Sequence, residues 1–181
     1  MEFLNKASSS TDDLYETALD NMIQAGHEIK VAHYLGKWQP IKYPWHIYDA
    51  AKILFEKELR IRRKQDSPII ADDLEKAGNV VIKGDVIIEN GVKILENAVI
   101  VGPAYLGKNT VIANNTLIRD SFLGESCVGG YSTEIARSYL GDKVWTHSNY
   151  IGDSVIGSNV SFGAGTVTGN LRLDEKNIEV L

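Results

Sequence analysis

Seven aliphatic residues stand six apart without a slip: Ile82, Ile88, Ile94, Ile100, Leu106, Ile112 and Ile118. Four places after each of the first six comes a smaller residue, Val86, Val92, Ala98, Ala104, Thr110 and Thr116. A helix repeats every 3.6 residues and an isolated strand every two, so this period belongs to neither. Six-residue repeats with small corner residues build a solenoid of short strands. One bulky side chain inward per hexad, with a small one before each corner, predicts a three-sided prism of about eighteen residues per coil, its coils stacked by backbone pairing. Fully burying one such side chain contributes about 1.5–3 kcal/mol. Against a net stability of about 5–15 kcal/mol, seven of them dictate the fold.

After Ile118 the spacing loosens. Leu123, Val128, Ile135, Leu140, Ile151, Ile156 and Phe162 are expected to continue the stack, with steps of five or more that imply compressed corners and protruding loops. Departures of this kind mark a working surface, because they project from one face and leave the core untouched.

The chain changes character near residue 78: fourteen of its sixteen glycines stand there or beyond. Before that point Ser10, Thr11, Asp12, Asp13 and Glu16 open an amphipathic helix carrying Leu14, Ala18, Leu19, Met22 and Ile23, and Gly26 closes it. Residues 27–35 alternate as a short strand would, and Pro44 opens a second helix reaching about Gln65. Its basic end, with Lys57, Arg60, Arg62, Arg63 and Lys64, reads as a solvated face complementing the helix dipole.

Nineteen Lys and Arg against twenty-four Asp and Glu give a net charge of -5, which argues against a protein that neutralises many nucleic-acid phosphates. No apolar run approaches the roughly 20 residues of a membrane helix, and no basic-then-apolar leader opens the chain. The single cysteine, Cys127, fits a reducing compartment, so the cytoplasm is expected. His147 and Cys127 fall short of the three or so ligands of a histidine-based zinc site, so no metal is expected in the repeat region.

LGDKVWTHSNYIGDSVIGSNVSFGAGTVTGNLRLDEK, residues 140–176, resembles the left-handed β-helix acyltransferase domain of bifunctional sugar-1-phosphate nucleotidylyltransferases of the archaeal type. GKWQPIKYPW, residues 36–45, with the helix after it, resembles the end of the nucleotidylyltransferase domain and its connecting helix. The expected fold is therefore mainly β, a left-handed parallel β-helix over residues 67–181, preceded by a small α/β segment with two helices over residues 1–66. The glycine-rich nucleotide loop and metal-binding aspartates of such enzymes are missing, so nucleotide transfer and its magnesium belong to a part this chain lacks. Relatives also continue with further coils, and the chain reads as a piece, or a remnant, of a longer enzyme.

The resemblance implies a homotrimer acting on a sugar 1-phosphate, with acetyl-coenzyme A as acyl donor. It assigns His147 as the base that deprotonates the sugar amine, a role suited to an imidazole titrating near about 6.5. It assigns Asn170 to the same catalytic centre, Tyr150 to substrate contact, and Arg119 and Lys176 to the sugar phosphate, where the planar fork of an arginine suits phosphate oxygens. Relatives carry a lysine where this chain has Ala136, and Arg137 is the neighbouring substitute. Two readings stand: an acetyltransferase centre, or a non-catalytic trimerisation or regulatory module.

Overall fold

The structure, a computed structural model, describes residues 2–8, 13–62, 68–174 and 176. It divides into two compact units, Met1–Lys37 and Trp38–Leu181.

In the first unit α1 (Glu2–Lys6) precedes α2 (Leu14–Gln24). Gly26, at φ 83°, ends α2, and the amide of His27 reaches back to the Met22 carbonyl at 3.0 Å, the left-handed terminus that glycine permits without steric cost. The proposed capping residues Ser10, Thr11 and Asp12 lie outside the described residues. Of the apolar face only Ala18 is fully buried, while Leu14 and Ile23 are exposed. Residues 27–35 form no strand, and the segment before the solenoid holds three helices rather than two helices and a strand. Alternation is necessary for a half-buried strand but not sufficient: no described strand pairs with this segment, and a lone strand has nowhere to place its backbone bonds.

The second unit begins with α3 (His46–Arg62) and continues into thirteen short strands, all paired in parallel. They form the three walls of a prism. On the first wall Ile82, Ile100, Ile118, Ile135 and Ile151 stand in register. The second stacks Ile70, Ile88, Leu106, Leu123, Leu140 and Ile156, and the third aligns Lys76, Ile94, Ile112 and Gly129. The expected plugs from Ile88 to Ile118 are all at most 1% exposed. So are the small residues before the corners, from Val86 to Thr116. Thr110 and Thr116 satisfy their buried hydroxyls on the Gly124 and Gly130 carbonyls at 3.0 and 2.6 Å.

The later plugs follow as expected, with one correction. Val128 points outward in register with Val111, and Gly129 takes the inward place opposite Ile112. A methyl at Gly129 would stand 3.2 Å from Ile112 Cδ1 and 3.4 Å from Thr116 Cγ2, so neighbours already fill the missing plug's volume. The long step from Leu140 to Ile151 holds no protruding loop. Buried Thr146 sits within it, its hydroxyl donating to the Val128 carbonyl and accepting from the Gly130 amide, both at 2.9 Å.

Corners shorten where the spacing loosens. Between Val101 and Ala104 two residues turn the chain, but in the next coil Asp120 alone links Arg119 to Ser121, and the register shifts there. Arg137 and Asp153 repeat the one-residue corner, and all three hold positive φ, 46°, 47° and 48°.

Helix α3 covers the outside of the second wall. Ile87, Tyr105, Phe122 and Tyr139 lie one residue before successive plugs and form an outward column in register. Phe55 and Leu59 bury against Ile87 and Phe122. Arg62 is not merely solvated: it pairs with Glu89 at 2.5 Å, and burial beside Glu89 pushes the Tyr105 phenol up to about 12.

Ile118→Ala is expected to cost about 2–5 kcal/mol by leaving a cavity in the stack, and Val128→Ala far less. Chemical denaturation of the two variants measures this; equal losses would contradict the outward setting of Val128.

Candidate functional site

The first wall is flanked by two unusual corners. On entry, His147 and Ser148 turn the chain between Thr146 and Asn149, where the coil above uses Gly130, Tyr131 and Ser132 and the coil below Gly163, Ala164 and Gly165. The registers Val128 to Trp145 and Trp145 to Ser161, then Tyr150 to Glu134 and Val167, fix this one-residue deletion. Buried Asn149 holds the short corner: its side-chain oxygen accepts the His147 amide at 2.7 Å, and its amide donates to the Gly163 and Thr166 carbonyls at 2.8 and 3.2 Å. Thr133 donates its hydroxyl to the His147 carbonyl. The imidazole itself is exposed and makes no hydrogen bond, ion pair or ring contact with the described residues.

At the exit of the same wall the one-residue corners Asp120, Arg137 and Asp153 stack as a column, and Asn170 follows beside Asp153. Arg137 grips Asp153 with two parallel bonds, Nε to Oδ1 at 2.5 Å and Nη2 to Oδ2 at 2.7 Å. Asn170 donates to Asp153 and, at 3.0 Å, to the Tyr150 hydroxyl. Arg119, one residue before the column, bonds Glu134 at 2.8 Å. Left-handed geometry costs a residue with a Cβ about 1–2 kcal/mol. Asp tolerates it through a short polar side chain, whereas Arg137, like Lys143 at φ 56°, holds it without such relief.

Electrostatics follow the contacts. The Asp153 carboxylate raises Arg137 above the ordinary guanidinium range, and the Arg137 guanidinium holds Asp153 below the usual carboxylate range, with Asn170 adding to the effect. Tyr150 lies over Gly152, where an added methyl would stand 2.5 Å from the phenol oxygen. Ala136 is fully buried between Arg119 and Gly152 in register.

Of the six residues chosen from the sequence, the structure gathers Arg137, Tyr150 and Asn170 and sets Arg119 beside them. His147 stands at the opposite corner of the wall. Lys176 is exposed and, among the described residues, makes a 3.4 Å backbone bond to Asp174, itself paired with Arg172. Asp153, Glu134 and Asn149 were missed. The signal for Asp153 and Asn149 was the shortened spacing, since a lost corner residue changes which side chains stack.

Residues 85–120 match the family described as bacterial transferase hexapeptide (six repeats). A bifunctional sugar-1-phosphate nucleotidylyltransferase/acetyltransferase of Sulfurisphaera tokodaii is 37% identical over 181 residues, covering 98% of this chain and 43% of that protein. The bifunctional protein GlmU of Methanocaldococcus jannaschii is 38% identical over 159 residues, 80% of this chain and 34% of that protein. Among solved structures, PerB from Caulobacter crescentus, in complex with CoA and GDP-perosamine, has a TM-score of 0.56 at 17% identity, covering 68% of this chain and 62% of that one; this is a likeness of fold. The chain thus spans less than half the length of these curated relatives.

Two outcomes test the corners. The Arg137 pair stabilises Asp153 as a carboxylate, so its contribution is complete above the ordinary carboxylate pKa and is lost as pH falls through the lower folded value. Carbonyl NMR should find Asp153 titrating below about 3.9; a value at or above that would break the pair. At Gly130 an added methyl would meet the Thr146 and His147 carbonyl oxygens, leaving them no room. Gly130→Ala should displace the His147 corner, read as shifted amide signals at residues 146–149, whereas unchanged signals would contradict the stacking.

The chain carries a hexapeptide-repeat domain and is homologous to part of the archaeal bifunctional sugar-1-phosphate nucleotidylyltransferase/acetyltransferases.

Proposed function

We propose that the solenoid carries an amino-sugar-1-phosphate N-acetyltransferase centre that uses acetyl-coenzyme A, and that residues 1–66 are the end of a nucleotidylyltransferase domain and its connecting helix. The observation that carries this reading is the gathering of Arg137, Tyr150 and Asn170 on one strained corner column, with Arg119 beside it. The fold-related PerB, solved with CoA and a nucleotide sugar, and the names of the curated relatives agree with it.

In the proposed reaction the phosphate takes the two arginine forks, displacing one carboxylate partner, while Tyr150 and Asn170 hold the sugar. The His147 imidazole accepts a proton from the amine as the amine nitrogen bonds to the thioester carbonyl carbon. The carbon–sulfur bond then breaks, and the thiolate leaves and is reprotonated from the imidazolium. His147 and the arginine column occupy opposite corners of one wall. This separation supports a centre completed between copies of the chain, hence the proposed homotrimer. A cytoplasmic setting fits the sugar-phosphate substrate and the free Cys127.

The Asp153 clamp on Arg137, together with Ala136 in place of a lysine, favours the second reading, a module that only trimerises or regulates.

The test is acetyl transfer to glucosamine 1-phosphate and galactosamine 1-phosphate, followed by thiol release. His147→Ala is expected to lower kcat by about 100-fold or more, as loss of a general base does, while Arg119→Gln raises KM with kcat little changed. Turnover indifferent to His147 would remove the proposal, and trimers that bind neither sugar phosphate nor coenzyme A would establish the second reading.

A further inference from the structure

Between the first turns of α3 and the corner column lies a cavity of about 360 Å³ that shares only Arg137 and Asp153 with the acyl transfer above. Trp45 lines it from the turn before α3, Tyr48, Asp49 and Lys52 from the helix, and Arg137 and Asp153 from the solenoid. Its size is at the small end of the about 300–1,000 Å³ range of ligand pockets, which suits one ring with its substituents and not a nucleotide.

We infer that this cavity is a second subsite that binds a neutral, polyhydroxylated ring, a sugar unit, against the face of Trp45. The charges disfavour the other ligand classes. Both cations are engaged, Lys52 by Asp120 at 3.2 Å and Arg137 by Asp153 at 2.5 Å, and with Asp49 the carboxylates outnumber them, so an anion gains a partner only by opening an ion pair. A cationic ligand meets a like charge, since the Lys52 ammonium already lies in the cavity, 4.9 Å from the Tyr48 ring centroid. A neutral ligand with many hydroxyls meets neither obstacle. Its O–H groups donate to the Asp49 and Asp153 carboxylates, and its oxygens accept from Arg137 N–H groups that the Asp153 pair leaves open.

The aromatic wall is set in advance. Tyr43 stacks on Trp45 at 4.6 Å and 13°, and His46 meets it edge-on at 5.8 Å, so the indole plane is held before any ligand arrives. An indole face suits the C–H-rich face of a sugar ring as the carboxylates suit its hydroxyls. Arg137 and Asp153 belong both to this cavity and to the corner column. In that shared wall alone the inference rests on the acceptor reading; the cavity stands without His147.

The experiment follows the indole N–H signals of the 181-residue chain, with Trp45 assigned by Trp45→Phe, during titration with N-acetylglucosamine, glycerol, tetramethylammonium and inorganic phosphate. The expected result is a saturable shift of the Trp45 signal with the sugar alone. Trp45→Ala, followed by calorimetry, should weaken sugar binding about tenfold, as loss of one aromatic wall does, and Asp49→Asn should weaken it in the same direction. Glucosamine 1-phosphate separates two sources of the ring: a Trp45 shift that weakens in Arg137→Gln assigns the cavity to the acceptor itself, and an unchanged one to a separate sugar. A Trp45 response to tetramethylammonium or phosphate in place of sugar, or no saturable response to sugar, overturns the inference. His147→Ala keeps the two proposals apart. Sugar binding retained in that variant, with no turnover in any form of the chain, sinks acyl transfer alone, whereas turnover without a Trp45 response sinks this subsite alone.

Discussion

Stacking in register governs the molecule. Each coil's N–H groups bond the carbonyls of a neighbouring coil, so every inward side chain must stand over another inward side chain. The aliphatic columns that result exclude water from the coils between Ile88 and Ile151, and the same pairing carries any local change in length into the coils that follow. When Gly102 and Pro103 give way to the single Asp120, the next coils inherit a one-residue corner at Arg137 and Asp153. That corner requires positive φ, and the chain meets the requirement with charged residues where glycine or asparagine would be cheaper. The candidate site is the place where the repeat departs from its period under the constraint of continuing to stack.

A second consequence of register is the outward column Ile87, Tyr105, Phe122 and Tyr139. Left bare it would be an exposed apolar stripe; α3 covers it with Phe55 and Leu59 and is tied at its far end by Arg62 and Glu89. Because the helix follows the wall, its first turns arrive beside the corner column, where Tyr48 donates to the Asp120 carbonyl at 2.9 Å and Lys52 pairs with the Asp120 side chain. Packing that stabilises the second wall therefore also frames the site.

The inward plugs were legible because burial recurs at a fixed interval, and Leu123, Ile135, Leu140 and Ile151 remained legible through the irregular coils because nothing else aliphatic competes for their places. Val128 was misread for a physical reason: an aliphatic residue looks like a plug whichever way it points, and only backbone register reveals that Gly129 is inward. Residues 27–35 failed differently, since alternation says nothing about whether a partner strand exists. Arg119, Arg137, Tyr150 and Asn170 came from family resemblance, and periodicity alone would not have chosen them. For Asp153 the shortened spacing marked only a corner, because its contacts to Arg137 and Asn170 span 16 and 17 residues and exist only once the coils stack.

The central claim is that the corner column receives a sugar phosphate. A crystal structure with glucosamine 1-phosphate tests it most directly. The account predicts the phosphate between Arg119 and Arg137, the Arg137–Asp153 pair opened, and the sugar hydroxyls on Tyr150 and Asn170. Phosphate bound elsewhere on the solenoid, with that pair intact, would contradict it.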